Sequence, residues 1–442
     1  MAYFFYALYT FLSYLALPFA FLRLLKKSKI TPAYRQRWSE RLGHPGFKLG
    51  FELNNKKSIW IHTVSLGEAI TAYPLISRLL KNFPDHDFII TSMTPTGSEF
   101  IQQKIQSLNL TKIKHCYLPY DLPVFIKKFL KQIKPEVLIL IETELWPNLL
   151  KYAHQNSIKI ILANARLSQR SYLNYARFKT LSFTMLNFID LLMAQTPEDA
   201  ERFKALGFTK KLKITASLKF DLSIPDNISE KSQILKNQII NFKTRPIWIA
   251  ASTHEGEETY LLDIHRHLLK TNPDTLLILV PRHPERFSKI KKLCEQENFS
   301  IQTRSSQEVI LPSTQIFLGD SMGELLIYYS LAKIAFVGGS LVPRGGHNLL
   351  EPAALKIPVI TGPHVFNFQQ ITETLVQAGG ALLISEIPLI TQALRDLFQE
   401  PERAQKMGEL AYQVIQKNKG ALDRQHALIK QLIEEKHGEG LV

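Results

Sequence analysis

Several residues in this chain have types and spacings that could do chemistry. In Ser65-Leu66-Gly67-Glu68, a carboxylate sits beside a glycine that lets a substrate come close, and so could act as a general base on a hydroxyl. Glu142 and Glu144 lie two apart in Ile141-Glu142-Thr143-Glu144-Leu145-Trp146-Pro147-Asn148, where paired carboxylates could do acid/base work or bind sugar hydroxyls. Arg282, in Pro281-Arg282-His283-Pro284, offers a planar fork suited to phosphate. Lys219 could meet a carboxylate or phosphate. In Val342-Pro343-Arg344-Gly345-Gly346-His347-Asn348-Leu349-Leu350-Glu351, two glycines free the backbone for close approach and a helix start offers uncommitted N–H groups. That combination suits an anion, most naturally a phosphate.

Each of these has a plainer counterpart. Glu68 can serve as a carboxylate at a helix N-terminus. Glu142 and Glu144 can cap the helix that Pro147 introduces. Arg282 can pair with Glu285 at the surface, and Lys219 can be solvated. Asn348 and Glu351 have capping-box spacing. Spacing alone leaves these alternatives open.

The elements that must position these residues alternate from Ser58 onward. Apolar runs at 59–62, 88–91, 137–141, 158–162 and 191–194 are separated by stretches apolar at helical spacing, such as 68–83. The alternation pauses over 217–245, then resumes with runs at 247–250, 276–280, 315–318, 335–337 and 358–361. Strand and helix in alternation imply parallel sheets covered on both faces, hence two α/β domains with a cleft between them. Ligands on such sheets gather beyond the carboxyl ends of the strands, and the segments of Glu68, Glu142 and Glu144, Arg282 and residues 342–351 each follow a strand, while Lys219 falls near the domain junction. Asp85-His86-Asp87 precedes its strand, at the wrong end of the sheet, and is rejected as a metal site.

The expected organisation is an anchor at 1–25, a basic membrane-proximal segment at 26–50 and a first Rossmann-like domain at 51–220. An interdomain linker at 221–245 would lead to a second Rossmann-like domain at 246–402. A helical region at 403–435 could strap the two domains together.

The 442 residues carry a formal net charge of +15, which calls for an acidic partner. Residues 1–50 hold eight Lys/Arg and one acid, Glu40, and the span Ala2 to Leu22 has no charge. That apolar run meets the ~20 residues a membrane helix needs. Tyr3, Tyr6, Tyr9 and Tyr14 suit interfacial placement, and Lys26, Lys27 and Lys29 mark a cytoplasmic flank. The run is read as an anchor that spans the membrane; the alternatives are a monotopic helix, inserted shallowly with Pro18 as a kink, or a buried first helix. Two distant cysteines, Cys116 and Cys294, argue against a disulfide framework or a cysteine zinc site. The P-loop, GxGxxG and HExxH patterns are missing.

Ten ordered motifs carry a resemblance: SLGEA, MTPTGSE, LPYDLP, ETELWPN, ANARLS, SLKFD, STHEGEE, PRHPERF, GDSMGEL and FVGGSLVPRGGHN. Together with PAYRQRWSER near the start, they make the chain similar to the bacterial 3-deoxy-D-manno-octulosonic acid (Kdo) transferases from the apolar segment to about Asn418. The resemblance implies a GT-B fold and transfer of Kdo from CMP-Kdo to the phosphorylated, acylated lipid A precursor, with inversion and release of CMP. The implied place is the cytoplasmic face of the bacterial inner membrane.

The resemblance further implies Glu68 as the catalytic base, with Glu142 and Lys219 stabilising the transition state. It places CMP at Pro281, Arg282, Met322, Gly323, Glu324, Asn348, Leu349, Leu350 and Glu351. Gly345, Gly346 and His347 are then candidates for a phosphate loop, and Glu351 for the ribose hydroxyls. Arg35, Arg37, Trp38 and Arg41 are candidates to lie against anionic headgroups. No metal or cofactor is implied, nor a nucleic-acid partner, and the oligomeric state is left open. Two other functions fit parts of the pattern. One is a GT-B nucleotide-sugar epimerase or hydrolase without a lipid acceptor. The other is a membrane-tethered nucleic-acid binder, against which the acids at 68, 142 and 144 speak.

Overall fold

The computed structural model describes residues 2–46, 57–108, 110, 112–222, 224–225 and 227–438. The expected boundary at 50/51 therefore lies outside the described residues. The chain forms two compact units: Met1–Lys219 with Gly420–Val442, and Phe220–Lys419.

The first unit is built on β1 (Ser58–His62), β2 (Asp87–Ser92), β3 (Ile113–Tyr117), β4 (Val137–Ile141), β5 (Lys159–Ala165), β6 (Leu191–Ala194) and β7 (Lys211–Ile214). They pair in parallel in the order β3-β2-β1-β4-β5-β6-β7. Successive side chains on a strand face opposite ways, so each strand feeds two cores. Trp60, Ile89, Leu138 and Leu140 fill one face with Phe129. Ile59, Ile61, Ile90, Ile139 and Ile141 fill the other, beneath helices Leu66–Asn82 and Ala421–Gly438. A parallel sheet covered on both faces requires this continuous apolarity, and β1 and β4 are buried throughout.

The second unit uses β8 (Ile247–Thr253), β9 (Leu276–Pro281), β10 (Ile301–Thr303), β11 (Ile316–Leu318), β12 (Ile334–Val337), β13 (Val359–Thr361) and β14 (Ala381–Leu383). Their order is β10-β11-β9-β8-β12-β13-β14, again parallel. In each sheet the connections run in opposite directions from one central pair, β1/β4 in the first and β8/β12 in the second. Such reversals leave an open crevice at the carboxyl ends of the pair.

One expected boundary is corrected. Residues 221–245 are part of the second unit, not a linker. Helix Ile228–Asn237 sends Ile228 and Leu235 into a core with Tyr328 and Tyr329. At the end of the segment the buried Arg245 donates to the carbonyls of Asp274 (2.8 Å), Leu311 (3.0 Å), Pro312 (3.1 Å) and Thr314. One guanidinium thus reaches four carbonyls, of which Leu311 O also accepts from the Thr314 N–H at 3.0 Å. Arg245→Met should cost about 2 kcal/mol of stability in denaturant titration, because the apolar replacement takes the charged donor from these buried acceptors. The helical region expected at 403–435 to join the domains does pass from one unit to the other. Helix Pro401–Asn418 belongs to the second unit and helix Ala421–Gly438 to the first, with Gly420 at φ +86° between them.

Candidate active site

Glu68 sits in the first turn of helix Leu66–Asn82, which leaves β1. Its Oε2 accepts from the Val64 N–H at 2.7 Å, its Oε1 accepts from Ser65 Oγ at 2.9 Å, and its own N–H reaches Ser65 Oγ at 3.4 Å. The capping reading is therefore realised: Ser65 and Glu68 satisfy each other's end of the helix. A carboxylate has about four lone-pair sites, so two bonds leave capacity for a hydroxyl. The loop is held from behind by β2. Met93 and Thr94 N–H groups donate to Val64 O at 3.1 and 3.2 Å. A side chain on Gly97 would come within 3.2 Å of the Ser65 backbone.

Glu142 follows β4 across the β1/β4 reversal. Its φ of +63° is left-handed, a strained conformation for a residue with a Cβ, and its N–H is held by Ala163 O at 3.0 Å. The turn brings Glu142 Oε1 to 3.6 Å from Lys219 Nζ, each side chain 23% exposed. Sequence spacing separates these two by most of a domain, and the fold closes it. Lys219 is positioned from below by Asn164, a fully buried residue at a bulge in β5 with φ +52°. Asn164 Oδ1 accepts from the Leu218 N–H at 3.0 Å, and its own N–H donates to Gln425 Oε1 at 3.1 Å. Gln425, from helix Ala421–Gly438, also donates to Ala216 O at 3.3 Å. ANARLS contained Asn164 but gave no role for it. Gln425 had no local signal at all.

Glu144 completes the cluster, with Trp146 Nε1 donating to its Oε2 at 3.0 Å. Burial, then the neighbouring negative charge of Glu68, pushes its carboxyl up to about 8. Burial also raises Glu68 to about 7, with Glu142 adding to the rise, while the Val64 N–H, Ser65 and Lys219 oppose it. Carboxyls that raise each other cannot all ionise at neutral pH. Glu144 then keeps a proton while Glu68 stands near the midpoint, where a base is most useful.

In the second unit the site residues gather at the β8/β12 reversal. Glu257, the first residue of helix Glu257–Thr271 after β8, is fully buried. Its carboxylate accepts from the N–H groups of His254 (2.8 Å), Gly339 (2.7 Å), Ser340 (2.9 Å) and Leu341 (2.9 Å). Glu258 beside it takes both ends of the Arg286 guanidinium, at 2.6 and 2.9 Å. STHEGEE showed these acids without revealing that they build the loops. Arg282 donates its N–H to Thr253 O at 3.0 Å and leaves its side chain exposed. His254 Nε2 lies 2.8 Å from His347 Nε2, with the two ring planes 2° apart. Burial, with Arg282 next, lowers His347 to about 3. Burial, with His283 next, lowers His254 to about 4. Both rings are therefore neutral at pH 7, one donating to the other.

Gly345 and Gly346, two of the three residues of the expected phosphate loop, both approach the chain itself closely. A side chain on Gly345 would strike Asn367 and Phe366, and Gly346 N–H is taken by Gly339 O at 2.8 Å. The helix beyond, Leu350–Ala354, has five residues and so little dipole, and its Leu350 N–H is capped by Asn348 Oδ1 at 3.1 Å. Glu351 accepts from Asn348 Nδ2 at 3.3 Å. Burial raises its carboxyl, against Asn348 and the charge of Arg282. Leu349 and Leu350 are core residues. Arg282 and Glu351 remain as the charged groups here. Pro281 is buried at the end of β9, Met322 is exposed and Gly323 has φ +79°. Glu324 is tied to Arg304 at 3.1 Å. Burial would raise it, but bonds from Arg304, Ser321 and Tyr328 hold it below the usual carboxylate range.

The headgroup expectation is corrected for three of four residues. Arg41 is buried, donating to Met93 O at 3.0 Å and lying 4.2 Å above the Tyr117 ring. Arg37 covers the same ring at 4.6 Å while bonding Glu40, Ser98 and His115 O. Trp38 donates to Tyr34 O at 2.7 Å and packs on Phe21. These side chains are committed to holding residues 28–43 onto the first unit. Arg35 is exposed, bonding Ser28 Oγ at 2.8 Å. Among the described residues no group of three or more His, Cys, Asp or Glu is arranged to hold a metal ion.

Two all-parallel, seven-stranded α/β units, each with its strand order reversing at a central pair, define the GT-B fold. The solved UDP-GlcNAc 2-epimerase of Neisseria meningitidis shares this fold at 17% identity and a TM-score of 0.55, covering 85% of this chain and 100% of its own. A family model described as 3-deoxy-D-manno-octulosonic-acid transferase (kdotransferase) matches residues 36–222. The 3-deoxy-D-manno-octulosonic acid transferase of Haemophilus influenzae is 42% identical over 91% of this chain and 93% of its own length. A probable mitochondrial 3-deoxy-D-manno-octulosonic acid transferase of Arabidopsis thaliana is 34% identical over 85% and 83%. The chain belongs to the Kdo transferase family.

Proposed function

We propose that this enzyme transfers Kdo from CMP-Kdo to a phosphorylated lipid A precursor, lipid IVA, with inversion at the anomeric carbon and release of CMP. The observation that carries this reading is the Glu68, Glu142, Glu144 and Lys219 cluster at the β1/β4 reversal of a Kdo transferase family member. Glu68 takes the proton of the acceptor hydroxyl as that oxygen bonds to Kdo C2. The C2–O bond to phosphate breaks, and its electron pair leaves with CMP. A phosphate leaves already ionised, so neither a strong acid nor a metal is required. Lys219, held by Glu142, supplies positive charge toward the Kdo carboxylate or the departing phosphate. Arg282 grips the phosphate, and Glu351 accepts from the ribose hydroxyls. The acceptor is an anionic lipid at the cytoplasmic face of the inner membrane, in keeping with the basic flank after the apolar helix.

The test is incubation of the full chain with CMP-Kdo and tetra-acylated lipid A precursor, followed by mass spectrometry of the lipid. Growth of the lipid by one or more Kdo masses supports the reading and counts the sugars. Free Kdo and CMP with unchanged lipid would instead indicate a hydrolase. Arg282→Ala should weaken CMP binding by about 10- to 100-fold in calorimetry, the loss expected for one charged phosphate contact.

A further inference from the structure

By length and composition one described helix could cross a membrane: Phe4–Ser28, with mean hydropathy 1.6. It belongs to the continuous helix Ala2–Ser28, which Pro18 does not interrupt. One side of that helix is fastened to the first unit toward both of its ends. Tyr9 Oη donates to Asp121 Oδ2 at 2.9 Å, and Thr10 Oγ1 to Asn148 Oδ1 at 3.1 Å. The Tyr6 ring lies 6.4 Å from that of Phe188, and Phe21 packs edge-on against Tyr120 at 5.6 Å. Leu24 and Ser28 are buried further along. From Tyr6 to Ser28 these contacts cover about 33 Å at 1.5 Å per residue. That is all the length a crossing of ~30 Å would use.

The other side is a bare apolar stripe. Phe4, Leu8, Phe11, Leu15, Phe19 and Leu22 follow one another at three- and four-residue steps and are 41 to 71% exposed. A stripe this continuous is covered by something. Arg23, Lys26, Lys27 and Lys29 are exposed at its end, which fits anionic headgroups beside acyl chains.

We propose that the Ala2–Ser28 helix lies in the plane of the membrane as a lateral anchor, its outer stripe in the acyl chains and its inner side latched to the first unit, without crossing. The inference rests on the membrane location given above and sharpens it. A crossing helix would have to break the Tyr9–Asp121 bond or carry the wall around Asp121 into hydrocarbon. Asp121 cannot be spared from that wall. It accepts from the N–H groups of Asn148 (2.9 Å) and Leu149 (2.7 Å), at the start of helix Pro147–Gln155. That helix directly follows the Glu142–Trp146 turn. The anchor therefore fixes the height of the carboxylate cluster above the lipid surface.

The test uses the full chain with one protease-cleavable epitope ahead of Met1 and a second after Val442. Membrane-bound protein whose two epitopes are both cut in inverted inner-membrane vesicles, and neither in intact spheroplasts, supports the proposal. Cleavage of the first epitope in spheroplasts means a spanning helix, which overturns the proposal and leaves the membrane location standing. Absence from membranes, checked by flotation with phosphatidylethanolamine/phosphatidylglycerol vesicles, overturns both. In that outcome, dimers in light scattering would identify a second copy as the cover of the stripe. Phe11→Asp with Phe19→Asp should reduce flotation about tenfold or more with unchanged thermal unfolding, since both side chains face outward. Unchanged flotation of this variant would count against the stripe as the lipid contact.

Discussion

Glu68→Gln should lower kcat for Kdo transfer by about 10²- to 10⁴-fold, the usual contribution of a general base. The amide keeps the shape and can still accept from Val64 or Ser65, so thermal unfolding at neutral pH should move little. Wild-type kcat/KM should rise with pH through about 7, where burial and Glu142 place the Glu68 carboxyl. That limb should vanish in the variant. The stability signature has the opposite sign. A carboxyl whose folded value stands above its ordinary 4.5 favours the folded state while protonated. Its contribution is complete below about 4.5 and is lost as pH rises through about 7. The variant should therefore lose less stability than wild type across that window. Turnover equal to wild type, with the alkaline rise intact, would show that Glu68 is only a helix cap.

Glu257→Ala should cost the second unit at least about 3 kcal/mol, among the larger losses expected for a single buried substitution. Four backbone N–H groups, of His254, Gly339, Ser340 and Leu341, point at one fully buried carboxylate. Alanine leaves them without an acceptor in a space water does not readily enter. Guanidinium titration should show the loss. The same change loosens the loop that leads to Arg344 and His347, so CMP affinity should fall even though Glu257 is not expected to touch the nucleotide. A loss under 1 kcal/mol would mean that water replaces the carboxylate, and the hub would then be dispensable.

The fold was legible wherever a strand is covered on both faces. Val137-Leu-Ile-Leu-Ile141 can be little other than a central strand, and it is β4. The strands not foreseen are β3, β7, β10 and β14, and they are the four edges of the two sheets. An edge strand is partly wetted, so Lys211-Leu-Lys-Ile214 and Ile301-Gln-Thr303 carry no continuous apolar run. The segment 221–245 was misread for a related reason. Its helix is mostly polar, and what ties it down includes a buried arginine, a residue type that ordinarily signals surface.

The candidate sites were half legible. Glu68, Glu142 and Arg282 stood out because they follow strands, and ligands on a parallel sheet gather there. The partners of those residues could not. Asn164 and Gln425 meet across 261 residues of sequence, and nothing local marks either as a support for Lys219. The glycine pair gave no hint of its packing partners, because a backbone that must approach its own neighbour looks, in sequence, like one that must approach a ligand.

Gln425 has a consequence for how the enzyme is made. Its helix is synthesised only after the whole of Phe220–Lys419, yet it belongs to the unit begun at the other end of the chain. At translation speeds of ~5–20 residues per second, the ribosome takes roughly 10–40 s over that intervening stretch. Through that interval the earlier unit stands with one face of its sheet only partly covered and Asn164 without its acceptor. A nascent chain cut short anywhere in the later unit would therefore lack the Gln425 bonds to Asn164 and Ala216 beside Lys219, and translation itself delays that bracing until both halves exist.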